Sequence, residues 1–221
     1  MSTKTLKAYK GLPMEGPVAA WYAKITQKDS QRHQWGAEQS AKQIPAGSRV
    51  LEVAPGPGYF CIALAKMGDF QITGLDISKS FVEIARKNAS KAGVKVDFRE
   101  GNASDLPFNN ETFDFIICQA AFKNFSEPVR AIREMHRVLK PGRKALIIDL
   151  RSDASREEIN AEVNRMGLNW INALMTRWIF DLILLRSAYS KDQMTAFVSQ
   201  TPFGTCNIEI DGVGFKAWFE K

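Results

Sequence analysis

Histidine and cysteine are scarce in this sequence, at two and three among 221 residues. Cys61, Cys118 and Cys206 stand far apart with no CxxC pair. Neither a zinc site nor a disulfide framework is expected from them, and such usage suits a reducing compartment. Long apolar runs are missing as well. Residues 1–16 lack the hydrophobic stretch of a signal peptide. The most apolar region, Trp170 to Leu185, is interrupted by Arg177 and Asp181, leaving pieces too short for a bilayer span. The expectation is a cytoplasmic chain with no metal and no membrane span. An arginine-rich arm is also absent. The net charge of +6 comes from scattered residues such as Lys4, Lys7 and Lys10, or Arg130, Arg133, Arg137 and Lys140. A dispersed, solvated basic surface makes nucleic acid a disfavoured partner.

What is present is ordinary globular composition, 45% hydrophobic and 24% charged, in a length that suits one large α/β domain. From Ser48 onward, short apolar runs alternate with helical patterns. The runs are Arg49–Ala54, Gln71–Asp76, Lys95–Arg99, Phe113–Gln119 and Lys144–Leu150. Each is rich in Val, Ile, Leu or Phe with little alternation, as strands buried on both faces should be. Ser78 opens a helix over Lys79–Lys91. Ser126, Glu127 and Pro128 open another over Val129–Lys140, which stops at Pro141-Gly142. Asn207–Ile210 and Phe215–Phe219 flank Asp211-Gly212 as an antiparallel hairpin. The expected fold is α/β, a Rossmann-like doubly wound sheet, mostly parallel, with that hairpin at the C-terminal end. One domain over 1–221 is expected. Its N-terminal helical extension, 1–47, contains helices at Met14–Thr26 and Gln31–Gln43, and a helical insert occupies about 153–202.

The most informative stretch is Val50-Leu51-Glu52-Val53-Ala54-Pro55-Gly56-Pro57-Gly58-Tyr59. A buried strand runs into a glycine turn and then a helix, so backbone can approach a ligand without a Cβ in the way. Glu52 is an acidic residue inside a buried strand, which demands a purpose. Asp76 ends the second strand, where a carboxylate can accept both hydroxyls of a ribose. A dinucleotide fingerprint would have a third glycine or an alanine where Cys61 stands, so NAD is disfavoured.

At these residues the chain resembles the class I methyltransferases that use S-adenosylmethionine (SAM). Leu51–Gly58 is similar to their motif I, an acidic residue followed closely by G-x-G, here Glu52 and Gly56-Pro57-Gly58. Gly101-Asn102-Ala103-Ser104-Asp105-Leu106-Pro107-Phe108 resembles their G-D-A-x-x-L-P-F loop. Phe113–Gln119 resembles their fourth strand, and Arg133–Gly142 the helix-to-turn segment before the fifth. The closest likeness is to the small-molecule branch that includes ubiquinone and menaquinone C-methyltransferases. This resemblance implies SAM as cofactor and S-adenosylhomocysteine as product. It implies transfer of a methyl group by in-line displacement to a small, apolar or aromatic acceptor. Ala54, Gly56 and Gly58 would pass under the methionine portion, and Glu52 would steady its amino group. Asp76 would hold the ribose and Ile77 would pack on adenine. Asn102 and Ala103 would meet the adenine edge, and Gln119 would line the end of strand four. Two departures stand out: Asn102 replaces the usual Asp, and Arg143 replaces the second glycine of Pro-Gly-Gly.

On the acceptor side, Phe122 and Asn124 follow strand four where many relatives carry a histidine pair, so both are candidate pocket residues. Tyr22 is a candidate to fold over the cofactor. Trp178 lies on a Trp170–Leu185 helix expected to be buried on more than one side, with Arg177 paired to Asp181, as a lid over the acceptor. His136, on the face of Val129, Ile132 and Leu139, is expected to pack rather than to act as a base. No catalytic residue is singled out, because the sulfonium is already electrophilic and orientation does most of the work. The rival readings are an RNA methyltransferase, which lacks its (N/D)PP(Y/F) motif here, and a NAD-type oxidoreductase. Oligomeric state is not legible.

Overall fold

In the computed structural model, which describes residues 9–10, 13–27, 30–180 and 184–221, the apolar runs become neighbouring strands. Parallel strands β1 (Arg49–Val53), β2 (Gln71–Asp76), β3 (Asp97–Glu100), β4 (Phe113–Gln119) and β5 (Leu139–Leu150) form the body of one sheet. The hairpin β6 (Asn207–Asp211) and β7 (Gly214–Glu220) joins antiparallel to β5, giving the order β3-β2-β1-β4-β5-β7-β6. The order reverses between β1 and β4. In an open α/β sheet, ligands bind in the crevice outside the carboxyl ends of strands at such a reversal.

Both faces of the sheet are covered, which is why the strands lack polar alternation. Leu51, Val53, Ile116 and Cys118 face one layer, where they meet α5 (Pro128–Val138) through Ile132 and Met135 and a later helix through Met194 and Val198. Val50, Phe115 and Ile117 face the other layer. There they meet α2 (Ser30–Ala41) through Ala37, α3 (Tyr59–Ala65) through Phe60, and α4 (Lys79–Ala92) through Val82 and Ala85. The extension also supplies α1 (Gly16–Thr26). Past β5 come α6 (Arg156–Arg165), α7 (Trp170–Ile179), the short turn α8 (Leu185–Ser187) and α9 (Lys191–Ser199).

Several elements differ from the sequence expectation for physical reasons. α5 stops at Val138 rather than Lys140, because Leu139 pairs with Phe113 and begins β5 early. Ser126 is not its cap. The helix begins after Glu127, which makes no capping bond, and Pro128 fixes the first turn. Ser78, by contrast, does cap α4, its hydroxyl accepting from Phe81 N at 3.1 Å. The apolar helix is corrected most. α7 ends at Ile179 and is not buried on several sides, since Trp170 is 77% and Trp178 69% exposed. It touches the rest through Ala173, which with Phe180 and Leu185 packs on Ile159, Val163 and Val213. Arg177 binds Asn164 Oδ1 at 3.1 Å, and Asp181, its expected partner, lies outside the described residues. Among the described residues, no helix is long and apolar enough to cross a membrane.

Candidate cofactor and acceptor site

The turn after β1 is built from left-handed backbone at alternate positions: Ala54 at φ +58°, Gly56 at +54° and Gly58 at +80°. For alanine this costs about 1–2 kcal/mol, and such strain tends to be kept at ligand sites. Ala120, at the end of the adjacent β4, has φ +53° as well. The strained alanines therefore flank the point where the strand order reverses. The glycines answer different needs. A Cβ on Gly58 would lie 2.6 Å from the Phe98 ring, so that site is closed by the protein. A Cβ on Gly56 would meet nothing within 4 Å, so the space over Gly56 is open to a ligand.

Asp76 locks this turn to the end of β2. Its carboxylate accepts from Gly56 N and Ser78 N, each at 2.9 Å. Burial pushes its pKa up, against the pull of those two N–H groups. Ile77 beside it is 42% exposed, an apolar surface left open next to the carboxylate.

Glu52 sits one layer below, fully enclosed. It accepts from the Cys61 thiol at 2.9 Å and from Gln119 Nε2 at 3.4 Å. Burial also holds the Cys61 thiol well above its usual range, so Cys61 stays a donor. In the sequence Cys61 only argued against NAD; here it has the positive task of satisfying a buried acid. Burial drives the Glu52 carboxyl from 4.5 up to about 7, opposed by those donors. An acid with a raised folded pKa keeps a proton that the unfolded chain has released. Its stabilisation is therefore complete below about pH 4.5 and is lost as pH rises to about 7. That span corresponds to roughly 3 kcal/mol. Glu52→Gln is expected to flatten the stability curve between these pH values and to raise stability at pH 8, as read from urea midpoints. Parallel curves for the two proteins would contradict a buried, titrating Glu52.

The loop at 101–108 is held from α5. Glu134 accepts from Leu106 N at 2.8 Å, and Arg137 donates to Leu106 O at 2.8 Å and Phe108 O at 2.7 Å. Asn102 Oδ1 already accepts from Ser104 N at 2.9 Å. An adenine amine would have to share that oxygen, while the Asn102 amide N–H groups remain suited to a ring nitrogen. Ala103 is partly buried against the core beside it. Arg143 lies beside the amino end of β4, 3.5 Å from Asp114, so its departure from Pro-Gly-Gly is remote from the glycine turn.

Past β4 the sequence reading needs correction. Phe122 is fully buried, its ring among those of Phe125 and Tyr189, so it is core and not a pocket wall. Its packing on the Phe125 and Tyr189 rings outcompetes exposure at the turn. Asn124 is half-buried on the Phe122–Asn124 turn, and its carbonyl accepts from Lys10 N at 2.8 Å. Tyr22 packs edge-on to Phe81, with ring centroids 5.8 Å apart, above the start of α4. His136 packs on Phe203 at 4.8 Å, in keeping with a structural role, although the buried face of α5 is Ala131, Ile132, Met135 and Val138. One pair was missed altogether. Lys123 is buried with Nζ 3.1 Å from Asp149 and 2.7 Å from Ala120 O, tying the strained end of β4 to the end of β5. Among the described residues, no cluster of three or more His, Cys, Asp or Glu is spaced to hold a metal ion. A broad cleft of about 970 Å³, lined in part by Arg49, Gln71, Asp97 and Phe113, lies at the amino ends of β1 to β4, the edge opposite the glycine turn.

Comparison with known proteins agrees with this geometry. The sheet order and the glycine turn define the fold of class I SAM-dependent methyltransferases, and residues 51–147 match the family described as "Methyltransferase domain". The resemblance to the small-molecule branch holds at the level of curated relatives. The chain is 34% identical over 108 residues to a demethylmenaquinone methyltransferase of Deinococcus radiodurans, covering 48% of this chain and 45% of that one. It is 34% identical over 112 residues to a ubiquinone biosynthesis O-methyltransferase of Xanthomonas axonopodis pv. citri, covering 50% and 46%. The chain thus spans less than half the length of these curated relatives. A solved structure of a proposed SAM-dependent methyltransferase from Methanococcus maripaludis superposes over 96% of this chain and 95% of that one, with a TM-score of 0.74 at 22% identity. At that identity the likeness is one of fold.

Proposed function

We propose that the chain is a SAM-dependent methyltransferase acting on a small, apolar or aromatic acceptor. The observation that carries this reading is the Asp76–Gly56 bond beneath an open space at the strand reversal. A buried carboxylate with spare lone pairs, left-handed backbone and an exposed Ile77 suit a ribose, an amino-acid tail and an adenine respectively. In this reading Asp76 takes the ribose hydroxyls, Ile77, Asn102 and Ala103 frame the adenine, and Ala54, Gly56 and Gly58 run under the amino-acid part. Glu52, with Gln119, faces its ammonium. The cofactor supplies a methyl carbon made electrophilic by a sulfonium. The chain's share is to hold the acceptor atom in line with that carbon and to keep water out. A buried ammonium beside Glu52 would favour its ionised form, so affinity should rise between pH 6 and pH 8.

Names of the relatives point to quinone precursors as the acceptor class to try first. In this reading Asn124, Tyr22 and Trp178 would line the acceptor side, with α7 as a covering element. The test is S-adenosylhomocysteine formation from SAM against a panel of quinols, phenols and amines. Turnover with a ring-bearing apolar acceptor is the expected result. Product formation with RNA, lost at moderate salt, would contradict the acceptor class.

A further inference from the structure

Two helices show apolar faces to solvent. On α7, Trp170, Ile171, Leu174, Met175 and Trp178 are exposed. At about 100° per residue they form one stripe about 140° wide, and Ala173, which packs into the core, lies on the other side of the helix. On α1, Val18, Trp21 and Ile25 are exposed within about 60° of one another, while Ala19 and Ala23 are buried behind them. Trp21 is 61% exposed. Apolar faces of this extent on a folded chain mark surfaces that meet something else.

Both stand at the same edge of the molecule. α1 is pinned to the starts of α4 and α3, which follow β2 and β1. Ser78 Oγ donates to Met14 O at 2.6 Å, Gly16 N to Ser80 Oγ at 2.9 Å, and the Tyr59 hydroxyl to Ala23 O at 2.8 Å. α7 rests through Ala173 on a cluster that includes Val213, in the turn between β6 and β7. That turn lies at the carboxyl end of β5, since Leu150 pairs with Gly214. The glycine turn ends β1, so the two stripes flank the crevice, α1 on the β2 side and α7 on the β5 side.

The charge within both segments has one sign. Between Glu162 and Asp181 the chain carries Arg165 and Arg177 and no acidic residue, and between Glu15 and Asp29 it carries Lys24 and Lys28 and none. Arg165 is paired with Glu162, but Arg177 binds the uncharged Asn164 and keeps its charge. Tryptophan suits the boundary of a bilayer, where the indole meets acyl chain on one side and headgroup on the other. Cations beside it are drawn to anionic headgroups. A second copy of this chain would set these cations against each other. A bilayer is also broad and flat enough to meet both helices across the crevice, which a small ligand is not.

We propose that α1 and α7 dock the chain onto an anionic lipid surface, with the mouth of the crevice turned toward the bilayer. The helices lie in the headgroup boundary and do not cross it. An apolar acceptor dissolved in the lipid then reaches the crevice without passing through water. The docking does not depend on which cofactor the crevice holds. The test is co-sedimentation of the full chain with vesicles of phosphatidylcholine alone and of phosphatidylcholine mixed equally with phosphatidylglycerol. The wild type is compared with a Trp21→Gln, Trp170→Gln, Leu174→Gln triple variant. The wild type is expected to bind the anionic vesicles at least tenfold more tightly than the neutral ones, and to lose that preference in high salt. The triple variant should bind at least tenfold more weakly, with an unchanged melting temperature because all three side chains are exposed. Lys24→Gln should weaken binding about fivefold. On the wild type alone, lipid with brominated acyl chains should quench the tryptophan emission. Equal binding of wild type and triple variant, equal binding to neutral and anionic vesicles, or unquenched emission would overturn the proposal. So would a wild type that sediments as a dimer and leaves the vesicles alone, which would make the two stripes an interface between copies.

Discussion

Asp76→Ala is expected to weaken S-adenosylhomocysteine binding by about 1.5–3 kcal/mol, at least tenfold, since it removes charge-assisted bonds to the ribose. The fold should lose as well. The carboxylate accepts from Gly56 N and Ser78 N within a nearly closed environment, and alanine leaves both donors without that partner. Each unmet donor costs about 1–3 kcal/mol, so a drop in stability of roughly 2–6 kcal/mol should accompany the loss of binding. Asp76→Asn separates the two effects. Its oxygen can still serve one backbone N–H, but its amide group faces the other with like polarity. Intermediate stability and intermediate affinity are expected, measured by urea unfolding and calorimetric titration. A folded Asp76→Ala protein with wild-type affinity would remove Asp76 from the site.

A second pair of substitutions should part company even more sharply. Gly58→Ala places a methyl group 2.6 Å from Phe98 and 3.0 Å from Ala85, at a φ of +80°. Left-handed strain and overpacking together predict a loss of roughly 2–5 kcal/mol in stability. Gly56→Ala meets nothing within 4 Å and carries only the strain of φ +54°. Its stability should fall by about 1–2 kcal/mol, yet its affinity for S-adenosylhomocysteine should fall at least tenfold, because the new methyl group enters the space the ligand needs. Thermal melts and titrations on both variants check this. Equal affinity for Gly56→Ala and wild type would mean that no ligand approaches this turn.

The strands were legible because burial on both faces writes itself as continuous apolar runs, and Gly56, Gly58, Asp76 and Ser78 each carry a local signature of turn, strand end or cap. The rest depends on contacts that no local pattern encodes. Ala54 has the same left-handed backbone as its glycine neighbours, at φ +58°, but alanine gives no hint of it. The Cys61–Glu52 and Lys123–Asp149 pairs join residues on different elements, the second 26 positions apart. Tyr9 and Lys10 are held by backbone bonds to the turn after β4, more than a hundred residues away. Phe122 looked like a pocket residue by its place after β4, and its apolar ring went to the core instead. The apolar circumference of α7 argued for burial on several sides, but of the apolar residues on it Ala173 packs into the core while Trp170, Ile171, Leu174, Met175 and Trp178 stay exposed.

The central claim is that the crevice over Gly56 accepts an adenosyl amino acid and not a dinucleotide. It is tested most directly by calorimetric titration of the wild-type chain with S-adenosylhomocysteine and, separately, with NAD. One-to-one binding of S-adenosylhomocysteine at micromolar affinity, unaffected by excess NAD, is the expected result. Binding of NAD with displacement of S-adenosylhomocysteine, or heat from neither ligand, would contradict it.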